Sequence, residues 1–355
     1  MNAIAPALHL VDPDGPGASR WLCALARTHA NAPIVALGSR VAPWARARIP
    51  VPAGSAALAA RALERLAEHW GVEGVLAWGT RAAEVAVRAR DTADRVLVLD
   101  DAPAAGPIAF DAELLCVGDL CADRVCAAGW PPMRVRVLQA PVPMVVEPDT
   151  SGTRRRAWRQ TRDIADSTLL VGLLPAAPGV GDAWSALHAV GRVRMAGLDA
   201  ALVLDASTAE AGSTQVFARS IGMRRAVHFA ELCTDLPKAA PAIDVWLSLP
   251  GGGRDGTALD PAVAAGAFAP LIAAEGSLAA SMIERGVDGL LARPPNDLAA
   301  RLIELLEHGD RRRDLAVAAR VRHASTSRRE AFAGAVQAFE GRASIRAASA
   351  LAASK

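Results

Sequence analysis

The sequence has no tyrosine, and its basic side chains are almost all arginine, with Lys238 and Lys355 the only lysines. The first absence removes a common polar aromatic group from any binding site. The arginine bias, beside heavy alanine use, reads as the mark of a GC-rich genome rather than of a function. No apolar run approaches the roughly 20 residues that a helix needs to cross a bilayer. The start, MNAIAPALHLVDPDG, has no positive segment before its short apolar run, so it reads as a first strand rather than a signal peptide, and a cytoplasmic location is expected. Excess charge of either sign is also missing. A formal net charge of +2 is too near zero to point to nucleic acid or an acidic membrane surface.

The five cysteines, Cys23, Cys116, Cys121, Cys126 and Cys233, are odd in number, and without an export signal they argue against a disulfide framework. Cys116, Cys121 and Cys126 recur at a spacing that suits no usual zinc site, so they read as buried thiols. The histidines are scattered, and none pairs with a cysteine or carboxylate at ligand spacing. There is no Ser–His–Asp constellation. Gly251–Gly253 lacks the Lys and Ser/Thr of a phosphate-cradling Walker loop.

What is present is length and alternation. At 355 residues the chain exceeds what one core usually holds, so two domains are expected. Strand patterns fall at Ala7–Val11, Ile34–Leu37, Gly74–Trp78, Arg95–Leu99, Ala112–Val117 and Arg134–Leu138. Helical patterns lie between them, notably Ala18–His29, Ala56–Trp70 and Thr80–Ala89. Short apolar strands alternating with helices mark a parallel sheet covered on both faces. A Pro-rich seam follows Ala140, then a charged helix over Arg154–Arg162. Alternation restarts with strands at Leu169–Leu174, Ala200–Leu204, Ala226–Phe229, Val245–Leu249, Leu271–Ala273 and Leu290–Ala292. The expected division is an N-terminal Rossmann-like domain over 1–148, a second over 149–325, a helix over 326–345 carrying Phe332, Val336 and Phe339, and a frayed tail over 346–355.

Residues Ser281–Leu306, SMIERGVDGLLARPPNDLAARLIELL, are the most telling stretch. They read as a helix stopped at Gly286, a tight turn at Asp288–Gly289, a short buried strand, a Pro–Pro break and an amphipathic helix whose N-cap is Asn296 or Asp297. The stretch resembles the closing segment of the donor domain in family-four retaining glycosyltransferases, E-x-V-x-D-G-x-x-G-x-L-V-x-P-x-D followed by a helix. Residues 111–141, the sequence IGMRRAVHF at 221–229 and DVWLSLP at 244–250 are similar, in order and spacing, to further segments of that family. The resemblance implies an α/β fold of the GT-B kind, two Rossmann-like parallel-sheet domains facing across a cleft. It also implies metal-independent transfer of a sugar from a nucleotide-diphosphate donor to a glycan or other acceptor, with no separate cofactor and no nucleic-acid partner.

Candidate donor-binding residues follow. In the loop after the first strand, Gly15 and Gly17 let the backbone turn closely and Ser19 suits a helix N-cap, where free N–H groups favour a diphosphate. The same residues also suit an ordinary strand–helix turn. The family grips the diphosphate with an Arg and a Lys, and here Leu173 and Pro178 occupy about those places, with no cation before Arg192. Losing both forfeits charge-assisted hydrogen bonds, roughly twice as strong as neutral ones. Of the family's glutamate pair, E-G-F-G-x-x-x-x-E-A, the first falls on Asp255, within Arg254, Asp255 and Gly256, and the second on Val263; a shift of two residues puts them on Gly253 and Pro261 instead. Asp255 equally suits a turn in that glycine-rich loop. The acceptor-domain histidine falls near Trp78. The carboxylate before the closing motif falls near Ser281, with Glu275 and Glu284 close by. These departures favour a second reading, a catalytically inactive GT-B-fold protein that binds or scaffolds. The Arg311–Arg313 run, with Arg320, Arg322, Arg328 and Arg329, reads as a solvated helical face.

Overall fold

The computed structural model describes residues 7–12, 22–27, 30–38, 45–49, 55–89, 94–99, 112–139, 141–142, 149, 151–174, 180–206, 211–249 and 257–353. The chain divides into two compact units, one built from residues 1–140 with 326–355, the other from 141–325.

The first unit runs β1 (Ala7–Val11), a helix α1 over 22–27, β2 (Ile34–Leu37), β3 (Ala47–Ile49), α2 (Ala56–Trp70), β4 (Gly74–Trp78) and α3 (Thr80–Arg88). It continues with β5 (Asp94–Leu99), β6 (Glu113–Val117), α4 (Asp119–Ala127) and β7 (Val135–Leu138). The strands form one parallel seven-stranded sheet in the order β3-β2-β1-β4-β5-β6-β7. In the central pair, Ala7 lies beside Gly74 and Val11 beside Trp78. Every residue of β1 and β4 is buried, which requires cover on both faces. The sequence reading misses β3, because three residues between proline-bearing stretches are too short to show alternation.

The second unit opens with α5 (Thr153–Gln160), β8 (Leu169–Leu173), α6 (Val180–Met195), β9 (Ala200–Asp205), α7 (Ala211–Ser220), β10 (Val227–Ala230), α8 (Leu232–Ala239) and β11 (Val245–Ser248). It closes with α9 (Asp260–Gly266), β12 (Leu271–Ala274), α10 (Leu278–Ser281), β13 (Leu290–Ala292), α11 (Leu298–Glu307) and α12 (Gly309–His323). Its parallel sheet has the order β10-β9-β8-β11-β12-β13. In the middle of that sheet Gly172 lies under the Trp246 ring, and a Cβ there would stand 2.4 Å from its Cζ3. Glycine is what lets an indole pack inside this sheet.

A last helix, α13 (Thr326–Ala353), returns to the first unit. Phe332, Val336 and Phe339 are buried, as their helical spacing predicts, and Phe339 lies against Gly74. The helix continues past residue 345 through the Ala-rich stretch that the sequence reading treats as tail, since alanine is the best intrinsic helix former.

The closing stretch differs in detail from its sequence reading. α10 ends at Ser281, and Gly286 (φ 78°) sits within the following turn, where its N–H donates to the Gly289 carbonyl at 2.8 Å. Asp297 holds the N-cap position of α11, yet its side chain makes no cap bond. It accepts instead from the Arg293 N–H and closes the turn around the Pro–Pro break.

Candidate functional site

In open α/β sheets, ligands bind outside the carboxyl ends of the strands where the strand order reverses. In the second sheet that point lies between β8 and β11. β8 ends at Leu173, and the Leu174 N–H still pairs with the Leu247 carbonyl of β11 at 2.9 Å. β11 ends at Ser248, whose hydroxyl donates to the Asp260 carboxylate in the first turn of α9, and both are fully buried. A carboxylate there complements the positive end of the helix. The nearby Thr257 hydroxyl accepts the Leu259 N–H at 3.1 Å. The sequence reading passes over Asp260. Its one local signal is an Asp–Pro step opening a helix, which also fits plain capping.

Two positions where the resemblance implies charge are apolar and buried. Leu173 is 8% exposed and Val263 2%. Pro178 lies outside the described residues, as do Gly15, Gly17, Ser19, Arg254, Asp255 and Gly256.

Glu275 is the candidate that the structure does place. It follows β12 directly, its N–H donates to the Ala292 carbonyl of β13 at 2.7 Å, and its carboxylate accepts from Arg293 Nε. Arg285 Nη1 approaches its other oxygen at 3.5 Å. The hydrogen bond and charge of Glu275 push the Arg293 guanidinium above its ordinary pKa. Glu275 is therefore clasped between two arginines at the carboxyl edge of β12 and β13. A ligand there meets a neutralised pair rather than a lone carboxylate.

Glu284 and the closing-motif Asp288 do structural work. Asp288 is buried, accepts the Glu284 N–H at 2.7 Å and the Arg322 guanidinium at 2.8 Å. Burial raises its pKa, and Arg322 opposes that rise without cancelling it. The basic run is less solvated than its composition implies. Arg312 donates to the carbonyls of Leu305 and Leu306 at the end of α11, and Arg311 to the Gly286 carbonyl.

The first sheet reverses between β1 and β4. Asp12, fully buried just beyond β1, stands 3.6 Å from Arg81 Nη1 of α3. Trp78, at the end of β4 where the resemblance puts a histidine, is fully buried, and its Nε1–H donates to His9 Nδ1 at 3.0 Å. With Nδ1 accepting, the neutral ring carries its proton on Nε2, which donates to Glu340 of α13 at 2.9 Å. Asp12 and His9 are both missed by sequence reasoning. The HLVDPDG stretch holds both, but neither has a partner close in sequence to give it away.

By sequence, no protein family and no curated protein matches the chain. Comparison of structures finds clear likenesses. HepE from Anabaena, solved in complex with UDP-glucose, superposes with a TM-score of 0.73 at 15% identity, covering 97% of this chain and 99% of that one. A glycosyltransferase from Rickettsia africae ESF-5 gives 0.71 at 10% identity, covering 95% and 98%. WaaG, a glycosyltransferase involved in lipopolysaccharide biosynthesis, gives 0.68 at 16% identity, covering 94% and 99%. At such identities the likeness is one of fold. The chain has the two-sheet, Rossmann-ordered fold of these GT-B glycosyltransferases. Among the described residues, no helix is long and apolar enough to cross a membrane.

Proposed function

We propose that the protein is a divergent glycosyltransferase that transfers a sugar from a nucleotide-diphosphate donor to a glycan or other acceptor. The observation that carries this reading is end-to-end likeness, over 97% of the chain, to a protein solved with UDP-glucose. The reversal point of the second sheet supplies the expected ligand position. The donor's diphosphate would be held by loop backbone and helix N-termini near Gly15, Gly17 and Ser19 and near Arg254, Asp255 and Gly256, with no metal or further cofactor. By resemblance the reaction retains anomeric configuration, and the protein works in the cytoplasm without a nucleic-acid partner. Isothermal titration against UDP, UDP-glucose and a panel of other nucleotide sugars tests it. Saturable binding of one of them is expected, and no binding at millimolar ligand would sink the reading.

A second reading has its own support. Leu173 and Val263 are apolar and buried where the resemblance places a phosphate-gripping Arg and a ribose-holding Glu. A GT-B fold without those groups suits a binding or scaffolding protein, because fold alone does not fix function. Sugar transfer by the unaltered protein, measured with the donor that binds, rules this reading out. Binding without turnover favours it.

A further inference from the structure

The outer flank of the second sheet carries a cavity. β10 is the outermost strand there, with α7 and the 3-10 turn Arg224–Ala226 beside it. Gln215, Ala218 and Arg219 of α7, Arg224 of the turn, and Val227 and Phe229 of β10 line a cavity of about 180 Å³. Gln215, Ala218 and Arg219 share one helix face, and Val227 and Phe229 one side of the strand. Regular structure therefore fixes both walls. The lining reaches the amino end of β10, so the cavity is not the crevice at the strands' carboxyl ends.

Its chemistry is one-sided. Two guanidinium groups line it, and among the described residues no acidic one does. Elsewhere in the same unit, Arg194, Arg285, Arg293, Arg313 and Arg322 each pair with a carboxylate. Among the described residues, Arg219 and Arg224 have neither an ion pair nor a side-chain hydrogen bond. Two like charges around one small cavity, without a counter-charge, favour an anion between them. The planar fork of arginine matches a phosphoryl group in bidentate fashion, and the Gln215 amide adds N–H donors. Pockets for drug-sized ligands run to about 300–1,000 Å³. This smaller space fits a single phosphoryl group rather than a nucleotide.

We propose that the cavity between α7 and β10 binds a phosphoryl group through Arg219, Arg224 and Gln215, either as free phosphate or as the headgroup of a phospholipid. The proposal stands independently of nucleotide-sugar binding. The experiment is titration calorimetry of the whole protein with inorganic phosphate, comparing the natural chain with the double variant Arg219→Gln, Arg224→Gln. Both arginines are exposed, so the variant keeps the fold, and an unchanged melting temperature and unchanged UDP-glucose titration check this. The natural chain is expected to take up phosphate saturably, and the double variant to bind at least about tenfold more weakly, as loss of charged hydrogen bonds implies. Absence of saturable uptake by the natural chain, or equal affinity in the variant, overturns the proposal. Cosedimentation with vesicles containing phosphatidic acid separates the sources. Capture that the double variant loses assigns the headgroup, whereas a phosphate isotherm without capture assigns the free ion.

Discussion

Arg159 belongs to α5, TRRRAWRQ, a helix whose composition looks made for solvent. Yet it is fully buried, donating to the carbonyls of Ala165, Asp166, Thr168 and Ala242 and to the Asp244 carboxylate at 3.1 Å. Asp244 also accepts the Leu170 N–H at the start of β8. Burial lowers the Arg159 pKa, the Arg155 charge adds to that, and Asp244 opposes both. Arg159→Leu is expected to destabilise the second unit by at least about 1–3 kcal/mol, because it leaves several buried carbonyls without their donor, while Arg155 still pairs with Asp244 at 3.1 Å. Chemical denaturation reads this directly, and Arg159→Lys should recover little, since one ammonium cannot span the same acceptors. The sequence shows α5 as a charged helix and cannot show which arginine turns inward. That choice is made by acceptors on a turn, a strand start and a distant 3-10 helix. Gly172 is similarly mute until its neighbour is known. Gly172→Ala should cost about 1–3 kcal/mol by overpacking against Trp246, and less when Trp246 is changed to Leu, an interaction that a double-mutant cycle measures.

Elements were more legible than residues. Of the thirteen described strands all but β3 follow from apolar runs and turn residues, β1, β2, β4 and β13 to the residue and the others within one residue at each end, as does the helix α2. What periodicity cannot say is which unit a helix joins. α13 shows three well-spaced apolar residues, and its attachment also rests on Glu340. That side chain accepts from His9, the backbone N–H groups of Asn31 and Ala32, and the Asn31 amide. Burial works against its ionisation, but the hydrogen bonds from His9, Ala32 and Asn31 prevail and hold its pKa down to about 2, against an ordinary 4.5. A folded-state value below the unfolded one favours folding wherever the group is ionised when unfolded. The stabilisation is thus complete above pH 4.5 and is lost as pH falls from there through about 2. Urea midpoints across that window should fall steeply for the natural chain. Glu340→Gln is expected to be weaker at neutral pH and flatter on acidification. An unaltered slope would remove Glu340 from the account.

Over the whole molecule, the fold was readable because it is written in buried strands and helix faces, and both sheets repeat the same reversal of strand order. The site was less readable. In the sequence its candidates fall between strand and helix patterns, where glycines and short polar residues serve turns and ligands alike. Positions implied by the resemblance were informative chiefly where they fail. Leu173 and Val263 are built into the core, so a missing charge cannot be replaced by simple substitution. Val263→Glu, placed on a fully buried helix, is expected to cost several kcal/mol and to leave nucleotide affinity no higher. Thermal melting and the UDP-glucose titration together decide this. Tighter binding by a stable variant would show that the position still faces a ligand.

The return of α13 to the first unit also has a temporal side. Residues 141–325 lie between the two parts of that unit in sequence, so a ribosome makes all of them before the covering helix exists. At about 5–20 residues per second, that interval is roughly 10–40 s. For that time the apolar surface awaiting Phe332, Val336 and Phe339 is newly made and uncovered, so chaperone capture and loss to aggregation should concentrate on nascent chains of intermediate length.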